Sequence, residues 1–461
     1  MNILQAFGIE ETIKQKGFCL ALAGSGGKTT TLFNLARQAL NYGVKAVWVS
    51  TTTHLAVSEL QQADLVHYVQ NEQDWQNLES SQPRGIVVVC GSEVEKNRVA
   101  GLPGDGMNRL YRFISDRNEP LFLEVDGSRR RPLKAPADSE PEIPPFTQHV
   151  VIVAGLSGLG NPLSDAWVHR PERFAALSGL ELGDVITPSA LARVMIHPMG
   201  GLKHIPQDAQ RSVLLNQADS LPTLDVAQEI TDQIQQVFPR IIIASLGTDP
   251  GHIHAVYQPV AGIILAAGSA SRFGAPKQIL PWRGVPLVQH VIHTALTAGL
   301  YPIKVVIGAY RAQVQAVLET LPEVKSGNVG VIYNPNWNDG LSASIRAGLQ
   351  ELPTISNGAV FLLADQPHIP YQLVRALRSV HAQTRSWAVA PNFRGRRANP
   401  VLFSRELFPR LMALQGDTGG RTLLREPAIF PIAWVAWELS NLDFDIDEPS
   451  DYQSFLELDK T

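Results

Sequence analysis

The sequence predicts an α/β fold with two three-layer domains, because the same order of elements opens both halves of the chain. Near residue 18 and again near residue 261, a short apolar run precedes a glycine-rich loop, and a helical repeat of apolar residues follows. Runs typical of strands and helices then alternate, which indicates sheets covered by helices on both faces. A length of 461 residues also exceeds one ordinary core. We expect the domains at 1–250 and 259–461, with turn-forming residues between them.

Composition and charge limit the classes of partner. Hydrophobic residues make up 44% of the chain and charged residues 18%, as in globular proteins that fold in water. A net charge of −4 provides no general attraction to nucleic acid or to an anionic membrane, so we expect neither as a partner. Cys19 and Cys90 lie in apolar runs, and the N-terminal residues lack a signal-peptide layout. These features predict a reduced, cytoplasmic protein.

The first predicted strand covers residues 18–23, and the loop that follows it has the composition of a phosphate-binding loop. Its glycines expose N–H groups to phosphate oxygens, Lys28 would reach the terminal phosphates, and Thr29 would place a hydroxyl on Mg²⁺. The pattern is the shorter G-x-x-G-K-T form of the motif, and the alternative is a helix N-terminus with an incidental lysine. We predict that ATP or GTP binds here. The candidate contacts are Gly24, Gly26, Gly27, Lys28, Thr29 and Thr30.

Two later stretches bear on the same site. The apolar strand 121–127 carries two acids, of which Asp126 is the preferred Mg²⁺ ligand and Glu124 the second. Residues 128–134 then place four cations in seven positions. They form either a solvated loop or a patch for an anionic ligand or partner, and the sequence leaves the two readings open.

The rest of the first half predicts further strands and helices of the same domain. The segment 213–219 is similar to the guanine-reading motif of GTPases, with Gln217 in place of its lysine, so base selectivity stays open. Helical segments are expected at 180–184, 187–195 and 224–238, and a last strand at 240–246.

The second half opens on a loop with almost no side-chain bulk. N–H groups there can approach an anion closely, because the residues after strand 263–265 carry at most a small side chain. Arg272, as a fork, and Lys277, as a point charge, could neutralise a polyphosphate. The alternative is an ordinary βα turn with two solvated cations. The candidate nucleotide contacts are Leu265, Ala266, Ala267 and Gly268.

A single acid marks the end of a later strand. Helices are expected at 287–298 and 312–321 around a strand at 304–308, as in a parallel doubly wound sheet whose ligands lie at the C-terminal strand ends. The apolar run 360–364 delivers Asp365 to such an end. An unpaired charge is costly there, and Mg²⁺ carried by a nucleoside triphosphate is its natural partner. The alternative is an N-cap for the next helix.

These motifs resemble the molybdopterin-type nucleotidyltransferases, the MobA-like NTP transferase domains, over most of residues 259–461. The matching segments are LAAGSASRFGAPK in the opening loop, NPNWNDGLSASIRAGL from Asn334, GRRANPVLF from Gly395, GDTGGR from Gly416 and FDIDEPSDY from Phe444. The resemblance implies a Rossmann-like fold, a metal on Asp365, and contacts from Gly340 and Ser344 to the base; the alternative at that segment is a helix capped by Ser342. It also implies that the third segment meets the acceptor, and that the fourth is a flexible loop that serves as a lid or as an acceptor contact.

Two further implications come from the same resemblance. In the last segment, alternation puts Asp445 and Asp447 on the same side of a strand, where one of them could be a second metal ligand, with Asp447 preferred. Ala267 makes the loop L-A-A-G, which is typical of cytidylyl enzymes, whereas guanylyl enzymes carry L-A-G-G. The implied substrates are therefore CTP and the molybdopterin cofactor carrying molybdenum.

The first half resembles a different family. GSGGKTT, VSTTTH, EVDGSRRRPLKAP, HRPERF and LLNQAD are similar to the selenium-dependent hydroxylase accessory family, over nearly all of residues 1–246. The resemblance implies a P-loop NTPase-like domain and a nucleotide-dependent step in the maturation of a molybdenum hydroxylase, which would be a client partner.

Together the two resemblances imply an Mg²⁺-dependent cytidylyltransferase that makes molybdopterin cytosine dinucleotide for molybdenum hydroxylases. Two alternatives stay open. One is a nucleotidyltransferase that acts on another small phosphorylated acceptor. The other is a nucleotide-dependent maturation factor, or chaperone, that delivers the cofactor to an apo-hydroxylase.

Overall fold

The structure is a computed structural model that describes residues 1–461 except 95–96, 220, 249–250, 270–272, 394–395, 426–428, 439–445, 447 and 459–461; at 221–224, 393, 396–397 and 458 it describes the backbone alone. The chain divides into two compact units, Met1–Val256 and Tyr257–Thr461. The division falls between the two domains expected from the sequence. Both units combine helices with largely parallel sheets, which confirms the predicted fold class.

The first unit contains a nine-stranded sheet. The strands up to residue 257 are β1 (Cys19–Gly24), β2 (Ala46–Thr51), β3 (His54–Ala56), β4 (Leu65–Tyr68), β5 (Gly85–Cys90), β6 (Glu93–Val94), β7 (Arg98–Ala100), β8 (Leu121–Glu124), β9 (Leu133–Lys134), β10 (His149–Gly155), β11 (Val168–His169), β12 (Gln210–Asn216), β13 (Arg240–Ser245) and β14 (His252–Tyr257). The sheet order is β14-β13-β12-β10-β1-β8-β2-β5-β4, and the pairs from β13 to β4 are parallel. The C-terminal ends of these strands therefore share one edge.

Helices cover this sheet because its strands are apolar on both faces. The helices are α1 (Ile3–Phe7), α2 (Lys28–Asn41), α3 (Glu72–Ser80), α4 (Gly106–Ser115), α5 (Pro171–Ser178), α6 (Pro188–Ile196) and α7 (Leu221–Ile234). All of Cys19–Ala23 in the central strand β1 is buried, as expected for a parallel strand with both faces covered. One face packs on α2 through a cluster that includes Leu20, Leu32 and Leu35.

Two helix predictions in the first unit need correction. Residues 180–184 are not a helix, because Gly179 and Gly183 adopt φ of 75° and 94° and the Asp184 carboxylate accepts the Glu181 N–H in a turn. The helix expected at 224–238 begins earlier and ends at Ile234. Pro222 is tolerated in the first turn, where a helix needs no N–H donor.

The second unit has its own sheet. Its strands are β15 (Val260–Ala266), β16 (Pro281–Trp282), β17 (Val285–Pro286), β18 (Ile303–Ile307), β19 (Val329–Tyr333), β20 (Gly358–Leu363), β21 (Ala388–Phe393), β22 (Arg396–Arg397), β23 (Val401–Ser404) and β24 (Ile432–Ala436). The eight-stranded sheet has the order β19-β18-β15-β20-β23-β21-β22, with β24 paired to β21.

Only part of this sheet is parallel, which corrects the expectation of a parallel doubly wound sheet. Strands β19, β18, β15 and β20 are parallel, whereas β23 runs antiparallel to both β20 and β21. The connection from β21 to β23 is too short for a crossover helix, which a parallel arrangement would need.

Helices cover both faces of the second sheet. They are α8 (Leu287–Thr297), α9 (Arg311–Leu318), α10 (Pro322–Lys325), α11 (Leu341–Gln350), α12 (Tyr371–Thr384), α13 (Phe408–Met412) and α14 (Pro449–Leu458). In β15, Ile264 packs in a cluster with α8, α9 and α12, while its neighbour Ile263 packs in a second cluster with α11 and α13. These two cores give three layers, as predicted.

Across the described residues, no helix combines the length and the apolar character that a membrane crossing requires.

Candidate functional sites

In the second unit, the predicted cation and acid meet at the end of the sheet. Strands β15 and β20 are parallel with Leu265 opposite Leu363, so the loop after β15 and Asp365 leave the sheet at the same edge. Lys277 Nζ lies 2.6 Å from Asp365 Oδ2, and both side chains are largely buried, with exposures of 13% and 18%. Lys277 Nζ also donates to the carbonyl oxygen of Ile446 at 2.9 Å.

The alternative role of Asp365 as a helix N-cap does not hold, since the next helix, α12, begins at Tyr371 after Pro370. Two other predicted residues, Arg272 and Asp447, lie outside the described residues. Their roles stay predictions.

The loop after β15 directs its carbonyl groups into the protein. The carbonyl of Leu265 accepts the Ala364 N–H, and that of Ala267 accepts the Ala309 N–H, both at 3.1 Å. Gln278 Nε2 donates to the carbonyls of Ala266 and Gly268 at 3.1 and 3.0 Å. Four successive carbonyl oxygens, from residue 265 to residue 268, are therefore held by protein donors.

The N–H groups of the same loop are available. No described residue accepts the N–H of Ala267, Gly268 or Ser269. Where carbonyls are occupied and N–H groups meet no acceptor among the described residues, a loop can act as an anion-binding concavity. This geometry favours phosphate binding over an ordinary βα turn.

Gln278 is a site residue that the sequence reasoning missed. Its side chain is 2% exposed, and no described residue offers its Oε1 a hydrogen bond. The orientation of the amide follows from its two carbonyl neighbours, which require donors. A glutamine directly after the lysine carries no pattern that distinguishes it from a surface residue, so only the fold shows its role.

The segment after β19 builds the start of α11. Gly340 has a φ of 88°, and a Cβ on it would lie 2.5 Å from the carbonyl carbon of Gly416, so only glycine allows this approach. Ser344 is buried and accepts a hydrogen bond from Asn334 Nδ2 at 3.1 Å. Ser342 lies within the helix, whose N-cap is Gly340.

A cavity of about 250 Å³ lies beside the loop. Its walls include Leu265 of β15, Phe361 of β20 and Phe403 of β23, together with Asn399 and Arg421. Arg421 Nε donates to Asn399 Oδ1 at 2.9 Å, which joins the two segments that the resemblance associates with an acceptor. The cavity is mainly apolar with one fixed cation at its wall.

In the first unit, the glycine loop joins β1 to α2. Gly24, Gly26 and Gly27 have φ of 98°, 84° and 121°, and a Cβ on Gly26 would lie 2.3 Å from the nitrogen of Gly155. Glycine is therefore required at position 26 by both conformation and space. Thr30 is exposed in the first turn of α2.

Lys28 is buried in a cluster of acids. Its Nζ lies 3.2 Å from Asp126 Oδ1 and 3.4 Å from Glu124 Oε1, and it donates to the Gly24 carbonyl at 2.8 Å. Burial alone would lower the pKa of Lys28, but the charges of Asp126 and Glu124 outweigh it and raise the pKa. Lys28 is therefore a cation at neutral pH.

The structure reverses the expected ranking of the two acids. Thr29 Oγ1 donates to Glu124 Oε2 at 2.7 Å, so Glu124 is the carboxylate beside the candidate metal-binding hydroxyl. Asp126 instead accepts from the Gly24 N–H and from Lys134 Nζ, the latter at 2.7 Å. Its oxygens are occupied by protein donors. Burial raises the pKa of Glu124.

A chain of ion pairs connects Asp126, through Lys134, to Glu140 and Arg170. Lys134 Nζ lies 2.9 Å from Glu140 Oε2, and Arg170 holds both oxygens of Glu140. Burial would raise the pKa of Glu140, but Arg170 and Lys134 together lower it to about 2. Burial and neighbouring cations, foremost Arg170, lower the pKa of His169 to about 4, so His169 is neutral at pH 7.

Asn216, in the segment that is similar to a guanine reader, supports the glycine loop. Asn216 Nδ2 donates to the Gly26 carbonyl at 2.8 Å, and its Oδ1 accepts the Leu246 N–H at 2.9 Å. Gln217 accepts a hydrogen bond from Ser157 Oγ. The motif therefore contributes to the shape of the loop, which the sequence reasoning did not predict.

Two family models match the chain: YqeC protein over residues 20–172 and MobA-like NTP transferase domain over residues 262–430. The chain is 29% identical over 220 residues to the uncharacterized protein YqeC of Escherichia coli (strain K12), which covers 47% of this chain and 82% of that protein.

Other relatives of the chain have different names. Nicotine blue oxidoreductase of Paenarthrobacter nicotinovorans is 30% identical over 174 residues, 36% of this chain and 82% of that protein. Molybdenum cofactor cytidylyltransferase of Escherichia coli (strain K12) is 26% identical over 193 residues, 41% of this chain and 92% of that protein. The chain is therefore similar to proteins whose names describe different reactions.

Proposed function

Because the chain belongs to the YqeC protein family over residues 20–172 and to the MobA-like NTP transferase domain family over residues 262–430, we propose that its second unit transfers a nucleotidyl group and that its first unit binds a nucleotide. The observation that carries the first part is the Lys277–Asp365 pair, which lies at the sheet edge where the glycine-rich loop also leaves β15. Among the described residues, the N–H groups of 267–269 in that loop meet no acceptor.

The second unit has the groups that a magnesium-bound triphosphate needs. The N–H groups of 267–269 would hold phosphate oxygens, and Lys277 would neutralise their charge. Asp365 fits Mg²⁺, which commonly takes one or two protein carboxylates and completes its shell with phosphates and water. Bound Mg²⁺ would add positive charge at the phosphates.

The proposed reaction is a direct displacement. An oxygen of the acceptor phosphate bonds to the α-phosphorus of the nucleotide, the bond from that phosphorus to the bridging oxygen breaks, and pyrophosphate leaves. Lys277 stabilises the charge that builds on the leaving group, and the loop N–H groups keep the phosphates in line. The cavity next to Leu265 would hold the acceptor, with Arg421 near its phosphate.

CTP and the molybdenum cofactor are the proposed substrates. The L-A-A-G sequence, the named relative and the accessory-type first half all support this choice. The methyl group of Ala267 is itself buried and packs near Gly308, so the base preference has to be measured directly.

The experiment is a substrate profile of the full chain with Mg²⁺. CTP, GTP and ATP are each offered with the molybdenum cofactor or with sugar phosphates, and pyrophosphate and the dinucleotide product are measured. We expect turnover with CTP and the cofactor, and little with the other pairs. Turnover with a sugar phosphate and none with the cofactor would favour another small phosphorylated acceptor and refute the cytidylyl proposal.

We further propose that the first unit uses ATP or GTP in the maturation of a molybdenum hydroxylase. The buried Lys28, the Thr29–Glu124 contact and the glycine loop support nucleotide binding with Mg²⁺. In this role the chain would also act as a maturation factor that delivers the cofactor to an apo-hydroxylase.

Replacing Gln278 with methionine is expected to raise the KM for CTP about tenfold with little change in kcat, because two loop carbonyls lose their donor and the N–H groups lose their fixed direction. The measurement is steady-state pyrophosphate release. The matched control is the Gln313→Met variant, since Gln313 is exposed on α9. An unchanged KM in a folded Gln278→Met protein would show that the loop is shaped by other contacts.

A further inference from the structure

Three consecutive arginines, Arg129, Arg130 and Arg131, follow β8 in the first unit. Arg129 and Arg130 are exposed. Among the described residues, none offers any of the three side chains a hydrogen bond or an ion pair. A solvated loop would explain exposure, but the backbone and the position of this segment add two observations that solvation does not explain.

The first observation is backbone strain. Arg129 and Arg130 have φ of 48° and 60°, and the Arg131 N–H donates to the Ser128 carbonyl at 2.9 Å. Positive φ at both central positions is the type I′ turn, which favours glycine and asparagine because a larger side chain crowds the backbone. Arg129 and Arg130 therefore occupy turn positions that disfavour large side chains. Backbone strain of this kind points to a role for the two side chains.

The second observation is that both ends of the turn are tied to the phosphate loop. On one side, Asp126 accepts the Gly24 N–H at 3.0 Å. On the other, the Pro132 carbonyl accepts the Ser25 hydroxyl at 2.9 Å. Gly24 and Ser25 are consecutive, so the turn is anchored directly beside the loop expected to hold phosphates.

The buried ion pairs around Asp126, next to the glycine loop, contain equal numbers of cations and acids. The three cations and three acids are Lys28, Lys134, Arg170, Glu124, Asp126 and Glu140. A triphosphate at the loop would therefore meet no surplus positive charge from this network. The arginine turn is the adjacent source of such charge, and guanidinium groups bind phosphate as a planar fork.

We propose that Arg129 and Arg130 bind the terminal phosphate of a nucleoside triphosphate held by the glycine loop, and so make the first unit prefer triphosphates over diphosphates. This inference rests on the proposed nucleotide binding by the first unit. Under this proposal the arginine turn is a binding site for a ligand, and not merely a solvated loop.

The test measures binding of fluorescent mant-ATP, mant-GTP and the two corresponding diphosphates to the full chain with Mg²⁺. The part of this binding that the Lys28→Met variant lacks is assigned to the first unit. In the Arg129→Gly/Arg130→Gly variant the charges are removed while the turn becomes easier to form. We expect the Kd for the preferred triphosphate to rise about tenfold or more and the Kd for its diphosphate to change less than about threefold. The melting temperature should not fall. The matched control is Arg84→Gly, because Arg84 is also exposed.

The outcomes separate the two proposals. Wild-type binding with the same triphosphate preference in the double-glycine variant would overturn the arginine assignment and leave nucleotide binding intact. An equal loss for triphosphate and diphosphate would also overturn it. If the Lys28→Met variant binds the four probes as tightly as the wild type does, or if neither binds any of them, nucleotide binding by the first unit fails, and the arginine assignment fails with it.

Discussion

The Asp365→Asn variant of the full chain is expected to lose nucleotidyl transfer by a factor on the order of 10²–10³ while it remains folded. The amide keeps the shape of the side chain but removes the charge that faces Lys277 Nζ at 2.6 Å. It also leaves Mg²⁺ a neutral oxygen in place of a carboxylate. Folding should survive because β20 and its core contacts end before this residue.

The measurement is pyrophosphate release with CTP, the molybdenum cofactor and Mg²⁺, together with the melting temperature. Glu351→Gln is the matched control, since Glu351 is an exposed acid directly after α11. Transfer within about threefold of the wild type would remove Asp365 from the reaction. A large drop in melting temperature would instead show that the acid mainly supports the fold.

Replacing Lys28 with methionine is expected to abolish nucleotide binding by the first unit and leave nucleotidyl transfer by the second unit unchanged. Lys28 is the cation that the glycine loop would bring to the phosphates. Its loss also leaves Asp126 and Glu124 as buried acids with one cation fewer, which we expect to cost about 3–5 kcal/mol of stability.

A second variant separates these two effects. In Lys28→Met/Asp126→Asn an acid is removed together with the lysine, so stability should recover in part while nucleotide binding stays lost. Binding of mant-nucleotides, urea unfolding and pyrophosphate release give the three readouts, and activation of a molybdenum hydroxylase gives a fourth. If both variants keep hydroxylase activation, the first unit's nucleotide site plays no part in maturation.

Sequence reasoning located groups that lie at the ends of strands. Apolar runs end at known residues, and parallel strands bring their C-terminal ends to one edge. That is why Lys277 and Asp365, 88 positions apart in the printed sequence, could be expected together and are found 2.6 Å apart. The glycines of the first loop were predictable for the same reason, since their positive φ follows from the motif.

The structure favours Glu124 over Asp126 as the metal-ligand candidate, for a physical reason that the sequence does not show. Both acids lie near the end of one strand, and the choice between them depends on which donors surround each side chain. Gly24 and Lys134 occupy Asp126, and Thr29 contacts Glu124. These donors come from different parts of the chain and have no common sequence signature.

The sequence pattern also did not predict that β23 runs antiparallel to its two neighbours in the second sheet. An apolar strand looks the same whether its neighbour runs parallel or antiparallel. The deciding factor is the length of the connection from β21 to β23, which could be judged only once both strands were located.

The amino-acid sequence by itself determined the class of fold, the two loops that follow β1 and β15, and the acids and cations placed at strand ends, because these depend on local periodicity and on the small size of glycine and alanine. Only the tertiary structure decided which of those groups touch. The pairing of Lys277 with Asp365, the hold of Gln278 on two carbonyls, and the anchoring of the arginine turn to Gly24 and Ser25 are contacts across loops and strands. They exist because the sheets bring distant segments to one edge, which no short stretch of sequence specifies alone.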